Sequence, residues 1–336
     1  MKNKLNTIGF NPNERNIFFH ILTACNLSCS HCYINPLQHG KKTLSKKQIE
    51  NWLKLFYNPN KKSNIIFLGG EPTIHPDLAS SVKTAKKLGY FVSIDSNGYL
   101  FNDLLHKTSP LYLDSLNFSL DGHNPKTNDA LRGKGCFKIC TDNIKKAVKL
   151  GYNTSVIFTV SNQNIDYLIK MANLLKKLKT KRLFIQIIGL RGRSSNSAKT
   201  IQVTRKQWLN TIPFAAKKIA QKGINVIYPK VFLKTDELFE CAGNTAENYF
   251  IFPNGRVYKC PICEDYPIHT YQIKKNKLIK RNGLIESNFF KLNIKEGCAM
   301  NKLLQPATIE YDKNTKPLYK ISCCLLKREI KAINKK

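Results

Sequence analysis

The sequence predicts an α/β fold on a parallel sheet, and three observations carry that expectation. Six strand-like apolar runs recur between residues 16 and 190, with amphipathic helical segments following most of them. No low-complexity tract or short tandem repeat interrupts them. The chemically distinctive residues fall at the strands' C-terminal ends, where parallel βα folds assemble their sites. Six βα units in one direction fit a barrel-like or a doubly wound sheet.

"NIFFHIL" (16–22) reads as the first strand, followed by a cysteine loop and a helix at "TLSKKQIENWLKLFY" (43–57). "NIIFLGG" (64–70) is the second, and its helix "HPDLASSVKTAKKLG" (75–89) ends on Gly89, a residue suited to a C-cap. "YFVSIDSNG" (90–98) is the third strand. "SLNFSLDG" (115–122) is the fourth, followed by the helix "CFKICTDNIKKAVKLG" (136–151). "NTSVIFTVSN" (153–162) and "RLFIQIIGL" (182–190) complete the six, with the helix 165–179 between them. Beyond the polar loop 191–200 the pattern changes. A helix (204–223) and a short strand "INVIY" lead to a cysteine-bearing tail. In that tail, "NYFIFPNGRVYKC" (248–260) carries a hairpin signal at Pro-Asn-Gly.

The N-terminus has no apolar signal region, and no run approaches about 18 apolar residues. A cytoplasmic protein is expected, in which eleven cysteines serve as ligands or catalytic groups more than as disulfides. The net charge of +33 has two explanations. Lysines spread evenly beside many Asn and Ile suggest a general compositional bias. A basic surface for an acidic partner, with nucleic acid as one class, is the other.

The densest chemistry is "TACNLSCSHCY" (23–33), where Cys25, Cys29 and Cys32 share one loop. Soft thiolates select zinc, copper(I) or iron–sulfur clusters. A structural zinc site asks for a fourth ligand. A [4Fe–4S] cluster on three cysteines leaves one iron open to an exogenous ligand.

Together with "GGEP" (69–72), "SLDG" (119–122) and "RGKGCF" (132–137), this loop resembles the radical SAM superfamily over residues 16–190. The resemblance implies a partial TIM barrel, a (β/α)6 core, with a small α+β cysteine-rich extension. It implies a [4Fe–4S] cluster on Cys25, Cys29 and Cys32, with S-adenosylmethionine (SAM) chelating the fourth iron. Reductive cleavage would yield a 5′-deoxyadenosyl radical that abstracts a substrate hydrogen. Gly69, Gly70, Glu71 and Pro72 would hold the methionyl amine, the glycines allowing close backbone approach. Ser119 and Asp121 would contact the ribose or methionine moiety, and Arg132 would pair with the carboxylate. Ser96 and Asn97 stand where relatives carry Thr-Asn-Gly, as a turn or a cofactor contact. His31 occupies a position usually aromatic, where its titration would make binding pH-sensitive. Leu68 replaces a residue often polar in relatives. Cys136 and Cys140, four apart in a helix, are expected to be buried structural thiols.

Six cysteines remain: Cys241, Cys260, Cys263, Cys298, Cys323 and Cys324. The segment from Cys241 through Gly255 to Cys260 resembles the opening of a SPASM or twitch extension, but Asn301 stands where a further cysteine would fall. One auxiliary [4Fe–4S] cluster is the expectation, with a zinc site or a vestigial tail as alternatives. The implied division is an N-terminal segment (1–15), a core (16–200), a connecting helix and strand (201–235) and the cysteine-rich domain (236–336). The expected activity is hydrogen abstraction from a peptide or protein side chain, with a flavodoxin or ferredoxin as electron donor and no membrane partner. RNA, a small metabolite, or a non-catalytic Fe–S or zinc protein are the alternatives. Catalytic residues stay unassigned. Glu240 and Asp265 are offered as bases.

Overall fold

A computed structural model of the chain describes residues 5–7, 13–197, 201–304 and 309–333. Much of the expected N-terminal segment, and residues 198–200 of the polar loop, lie outside them. The strands are β1 (Leu5–Thr7), β2 (Glu14–His20), β3 (Lys62–Leu68), β4 (Phe91–Ser96), β5 (Ser115–Ser119), β6 (Thr154–Val160), β7 (Arg182–Ile187) and β8 (Asn225–Pro229). They continue with β9 (Phe232–Leu233), β10 (Glu247–Ile251), β11 (Arg256–Tyr258), β12 (Tyr271–Lys274), β13 (Lys277–Lys280), β14 (Lys320–Ile321) and β15 (Leu326–Ile330).

From β2 to β8 each strand pairs parallel with the next, so the six expected strands and "INVIY" form one sheet. This is the expected partial barrel. β10 adds an eighth parallel strand beside β2, with Tyr249 opposite Ile17. The hairpin at Pro-Asn-Gly forms as β10–β11, and β12 and β13 extend it antiparallel. The cysteine-rich tail therefore begins as a continuation of the core sheet.

Helices α1 (Lys46–Phe56), α2 (Leu78–Lys87), α3 (Pro125–Arg132), α4 (Cys136–Lys149), α5 (Met171–Leu178) and α6 (Arg205–Ala220) cover one face. α1 and α6 start at capping boxes, Ser45 with Gln48 and Thr204 with Gln207, which satisfy otherwise orphaned amides. The first turns expected of the 165–179 helix wind as a 3-10 segment, Ile165–Lys170. Asn164 cannot cap them, because its side chain bonds Ser161 N, Asp121 O and Thr159 O.

Alternation along the strands sorts the two faces. Ile17, Phe19, Phe67, Ile94, Phe118 and Phe158 are buried in the core with the helices. Each such burial contributes roughly 1.5–3 kcal/mol. The intervening positions put Asn16, Asn64, Asp95, Asn117 and Ser155 on the inner face. Asn64 donates to Asn16 at 2.9 Å and Asn16 to Asn248 at 3.3 Å, tying β3, β2 and β10 together. No helix among the described residues is long and apolar enough to cross a membrane.

Candidate functional site

The loop after β2 is welded to the strand end of β3. Gly70 N donates to Leu22 O at 3.1 Å and Glu71 N to Ala24 O at 2.9 Å. A Cβ on Gly69 would stand 2.7 Å from Leu22 O, and one on Gly70 2.2 Å from Ala24 O. The close approach that requires these glycines is thus to the cysteine loop itself. Further along, Ser30 N donates to Leu131 O at 3.1 Å and Arg193 N to Cys32 O at 2.9 Å. Cys25 is exposed, while Cys29 and Cys32 are half-buried. Leu27 N and Asn97 Nδ2 already point at the Cys25 sulfur, at 3.4 and 3.8 Å. Burial pushes the Cys29 thiol up to about 11, with Arg132 opposing the rise.

Glu71 is fully buried and accepts four hydrogen bonds. The donors are Thr73 N (3.0 Å), Thr73 Oγ1 (2.6 Å), Ser96 Oγ (2.9 Å) and Asn97 N (2.7 Å). Burial drives its pKa up, and these donors hold it back. Its carboxylate therefore organises the end of β4. Ser96 Oγ in turn accepts from Gly98 N, and Asn97 Nδ2 donates to Asn26 Oδ1 at 2.8 Å. Pro72 is buried beside Glu71. Cys136 and Cys140 are buried under the turn, where a Cβ on Gly98 would meet the Cys140 sulfur at 2.7 Å.

On the opposite side of the loop, Asp121 Oδ2 binds Arg132 Nη2 at 2.7 Å and His31 Nε2 at 3.0 Å. Thr159 N donates to its Oδ1 at 2.7 Å. Burial alone would raise the Asp121 pKa, but Arg132 and then His31 hold it below the ordinary carboxylate value. Ser119, at the end of β5, is half-buried. The rim thus brings together all ten residues expected to contact SAM, but the charges of Asp121 and Arg132 neutralise each other.

Asp95 escaped the sequence reading, although "SIDSN" places it two residues before Asn97 on the same face. Asn117 Nδ2 donates to its Oδ1 at 2.7 Å. Burial raises its pKa to about 6, with Asn117 opposing and Glu71 adding to the rise. A carboxyl raised from its ordinary 3.8 favours its neutral form in the fold. Its stabilising contribution is complete below about pH 4 and lost as pH rises through about 6. Asp95→Asn is expected to unfold at a higher temperature than the parent at about pH 8 and to match it near pH 4, by thermal melts across that range. The offered bases lie elsewhere: Glu240 is exposed, and Asp265 is bound to Asn35 Nδ2 and Gly192 N.

A buried seam joins the cysteine loop to the tail. Tyr33, next to Cys32, shares a 2.7 Å hydrogen bond with His20 Nε2. The Phe252 ring is sandwiched between His20 and His39, at 4.1 and 4.0 Å between centroids. Arg191 lies over Tyr33 at 5.1 Å and reaches Pro261 O and Glu264.

Beyond this seam the tail cysteines converge. Cys241, Cys260, Cys298, Cys323 and Cys324 line one small apolar cavity with Phe239, Phe289, Phe290 and Met300. Cys263 packs in the same cluster as Cys260 and Cys298. Burial, then Cys323 and Cys260, push the Cys241 thiol up to about 12, and the same causes raise Cys298 well above its ordinary value. Asn301 donates to Ser322 O at 2.7 Å, anchoring the segment before Cys323. Among the described residues no three His, Cys, Asp or Glu side chains close on a single-ion site. Both groups are sets of sulfur donors, and those of the tail surround a space; this donor chemistry fits iron–sulfur clusters.

Residues 20–175 match the family model described as the Radical SAM superfamily. An Fe-coproporphyrin III synthase of Methanosarcina barkeri is 28% identical over 216 residues, 62% of this chain and 53% of that protein. A probable GTP 3′,8-cyclase of Saccharolobus solfataricus is 32% identical over 157 residues, 46% of this chain and 51% of that protein. The chain thus spans about half the length of the curated relatives it matches. Streptococcus suis SuiB bound to the precursor peptide SuiA superposes with a TM-score of 0.61 at 16% identity, over 89% of this chain and 66% of SuiB. The enzyme anSMEcpe with bound AdoMet and the Kp18Cys peptide does so at 0.60 and 14% identity, over 87% and 88%. At these identities the superpositions show a shared fold.

Proposed function

We propose that this chain, which carries a radical SAM domain over residues 20–175, reductively cleaves S-adenosylmethionine and abstracts hydrogen from a peptide or protein side chain. The observation that carries the reading is the junction of Cys25, Cys29 and Cys32 with Gly69–Pro72, where one loop and one strand end share backbone hydrogen bonds. When bound, a [4Fe–4S] cluster and SAM supply one-electron cleavage of the sulfonium and hydrogen abstraction by the resulting carbon radical.

The chain's own residues hold and shield those groups. Cys25, Cys29 and Cys32 supply three thiolates, and Leu27 N and Asn97 Nδ2 steady the first of them. Glu71 keeps Ser96 and Asn97 in place behind the loop. The half-buried Cys29 and Cys32 limit water at two of the three ligands. Asp95 and Asn117 form a polar patch on the inner face below Asn97, where a substrate group could be held in hydrogen-bond reach.

The tail is read as a SPASM- or twitch-like unit, within residues 236–336, holding one auxiliary [4Fe–4S] cluster on four of its six thiols. The peptide reading is supported by two fold neighbours, SuiB and anSMEcpe, whose structures contain peptides. A second reading, a small-metabolite substrate, is favoured by the names of the curated relatives. The electron donor is proposed to be flavodoxin- or ferredoxin-like.

The test is anaerobic reconstitution followed by reduction in the presence of SAM. 5′-Deoxyadenosine is the expected product by chromatography. Its absence from protein with a full iron and sulfide count would sink the reading.

A further inference from the structure

A groove of about 540 Å³ opens beside the start of α6, lined by Arg205, Lys230, Lys234 and Arg328 together with Phe232, Leu233, Leu318 and Tyr319. It lies at the same end of the sheet as the cysteine loop. Residues 230–237 follow the C-terminal end of β8, as the cysteine loop follows that of β2. Just before α6, Ile201 O accepts from Asn162 N at the end of β6.

Two guanidiniums of this groove have nothing to bind. Arg205 Nε and Arg328 Nε are buried atoms without a hydrogen-bond partner, and neither side chain forms an ion pair among the described residues. Native structures rarely withdraw such donors from water without a use for them. Arg205 is nonetheless held in place, 4.2 Å from the centre of the Tyr319 ring and 6.0 Å from that of Phe232. Stacking fixes the plane of a guanidinium and leaves its N–H edge free to meet a ligand.

The acids nearby do not account for these charges. Glu237 is taken by Lys230 and by Lys234 N. Arg328 lies within its electrostatic reach but forms no ion pair with it. Asp236 is exposed. Arg205, Arg328 and Lys234 therefore outnumber the one acid left in the groove.

Guanidinium forks match oxyanions bidentately, and arginine clusters read acidic motifs. The apolar lining, with Leu318 54% exposed, favours an anion carried on apolar surface. A volume within the range of ligand pockets holds a few side chains, not the face of a folded partner. Six strand steps separate β8 from β2, at most about 29 Å along the sheet, which about nine extended residues span.

We infer that this groove docks an acidic segment of the peptide substrate, with carboxylates on Arg205 and Arg328 and apolar side chains on Phe232, Leu233 and Leu318. The contact sets specificity and takes no part in the chemistry. It rests on the peptide reading above.

The test follows the fluorescence anisotropy of a labelled Glu-Leu-Glu-Leu-Glu peptide with full-length, anaerobically reconstituted protein at about 0.15 M salt, near-physiological screening. A Gln-Leu-Gln-Leu-Gln peptide is the control. The parent protein is expected to bind the Glu peptide at least about tenfold more tightly than the Gln peptide. Arg205→Gln and Arg328→Gln are each expected to weaken the Glu peptide about tenfold, and Arg205→Lys to recover part of the loss. Lys149→Gln, on the exposed face of α4, removes the same charge elsewhere and is expected to change nothing. Equal binding of the two peptides by the parent overturns the proposal, and that arm needs no variant. So does a loss in Lys149→Gln as large as in the arginine variants, which would mark general attraction to a basic surface. Displacement by inorganic pyrophosphate at lower concentration than by unlabelled Glu peptide would make this a phosphoryl site and overturn it too. These failures leave 5′-deoxyadenosine formation intact, which separates them from failure of the radical SAM reading. A protein that binds the Glu peptide here yet forms no 5′-deoxyadenosine sinks that reading, and the groove's role as a substrate site with it.

Discussion

Replacing Cys25, Cys29 and Cys32 together by alanine is expected to abolish 5′-deoxyadenosine formation while leaving about four irons per chain after reconstitution. The loss is total on the proposed reading, in which these three thiolates hold the cluster that cleaves SAM. The surviving irons would belong to the tail, where six cysteines meet beyond the seam of Tyr33, His20 and Phe252. Iron and sulfide counts, with the cluster's visible absorption, check both halves. A variant that retains no iron would leave the tail without an auxiliary cluster. A variant that still produces 5′-deoxyadenosine would remove these cysteines from the chemistry. Replacing Cys241 and Cys260 instead is expected to give the converse, keeping SAM cleavage and losing the tail's iron.

Gly70→Ala is expected to have the next largest effect. The new methyl would stand 2.2 Å from Ala24 O, 2.5 Å from Ala24 C and 2.5 Å from Thr23 O. All three atoms are backbone, so no side chain can swing aside. The loop would have to lift from the strand end, breaking the hydrogen bonds from Gly70 N to Leu22 O and from Glu71 N to Ala24 O. Overpacking of this kind costs about 3 kcal/mol at its upper range. Thermal melts should show a midpoint lower by about 4 °C. Iron at the loop should fall further than stability does, since the displaced loop carries Cys25 one residue beyond Ala24. A variant with parental iron content and melting midpoint would show that the loop does not need this contact.

Much of the fold was legible because strand and helix periods differ. Residues such as Ile17, Phe19, Phe67 and Phe118 recur at alternate positions and land in the core. The cysteine loop and Gly69–Pro72 were legible because their spacing is local. The pairing of β10 with β2 was not, since it joins residues more than 200 positions apart through Asn16 and Asn248. Asp95 was not legible as a site residue because one acid in an apolar strand gives no sign of what lies opposite it. Only the register that sets it across from Asn117 supplies that.

Local order along the chain by itself determined the βα alternation, the three-thiol loop, its companion Gly-Gly-Glu-Pro and the burial of Cys136 and Cys140. These follow from spacings of a few residues, which backbone geometry turns directly into faces and loops. Tertiary structure alone decided what those motifs touch. It turned Gly69 and Gly70 against the cysteine loop, Glu71 inward onto Ser96 and Asn97, and Arg132 onto Asp121 and so toward His31. It also drew five tail cysteines, spread from 241 to 324, around one cavity, with Cys263 packed in the cluster beside them. The physical reason is the same in each case. A buried charge or polar group must find its partner in space, and sequence distance says nothing of where that partner will be.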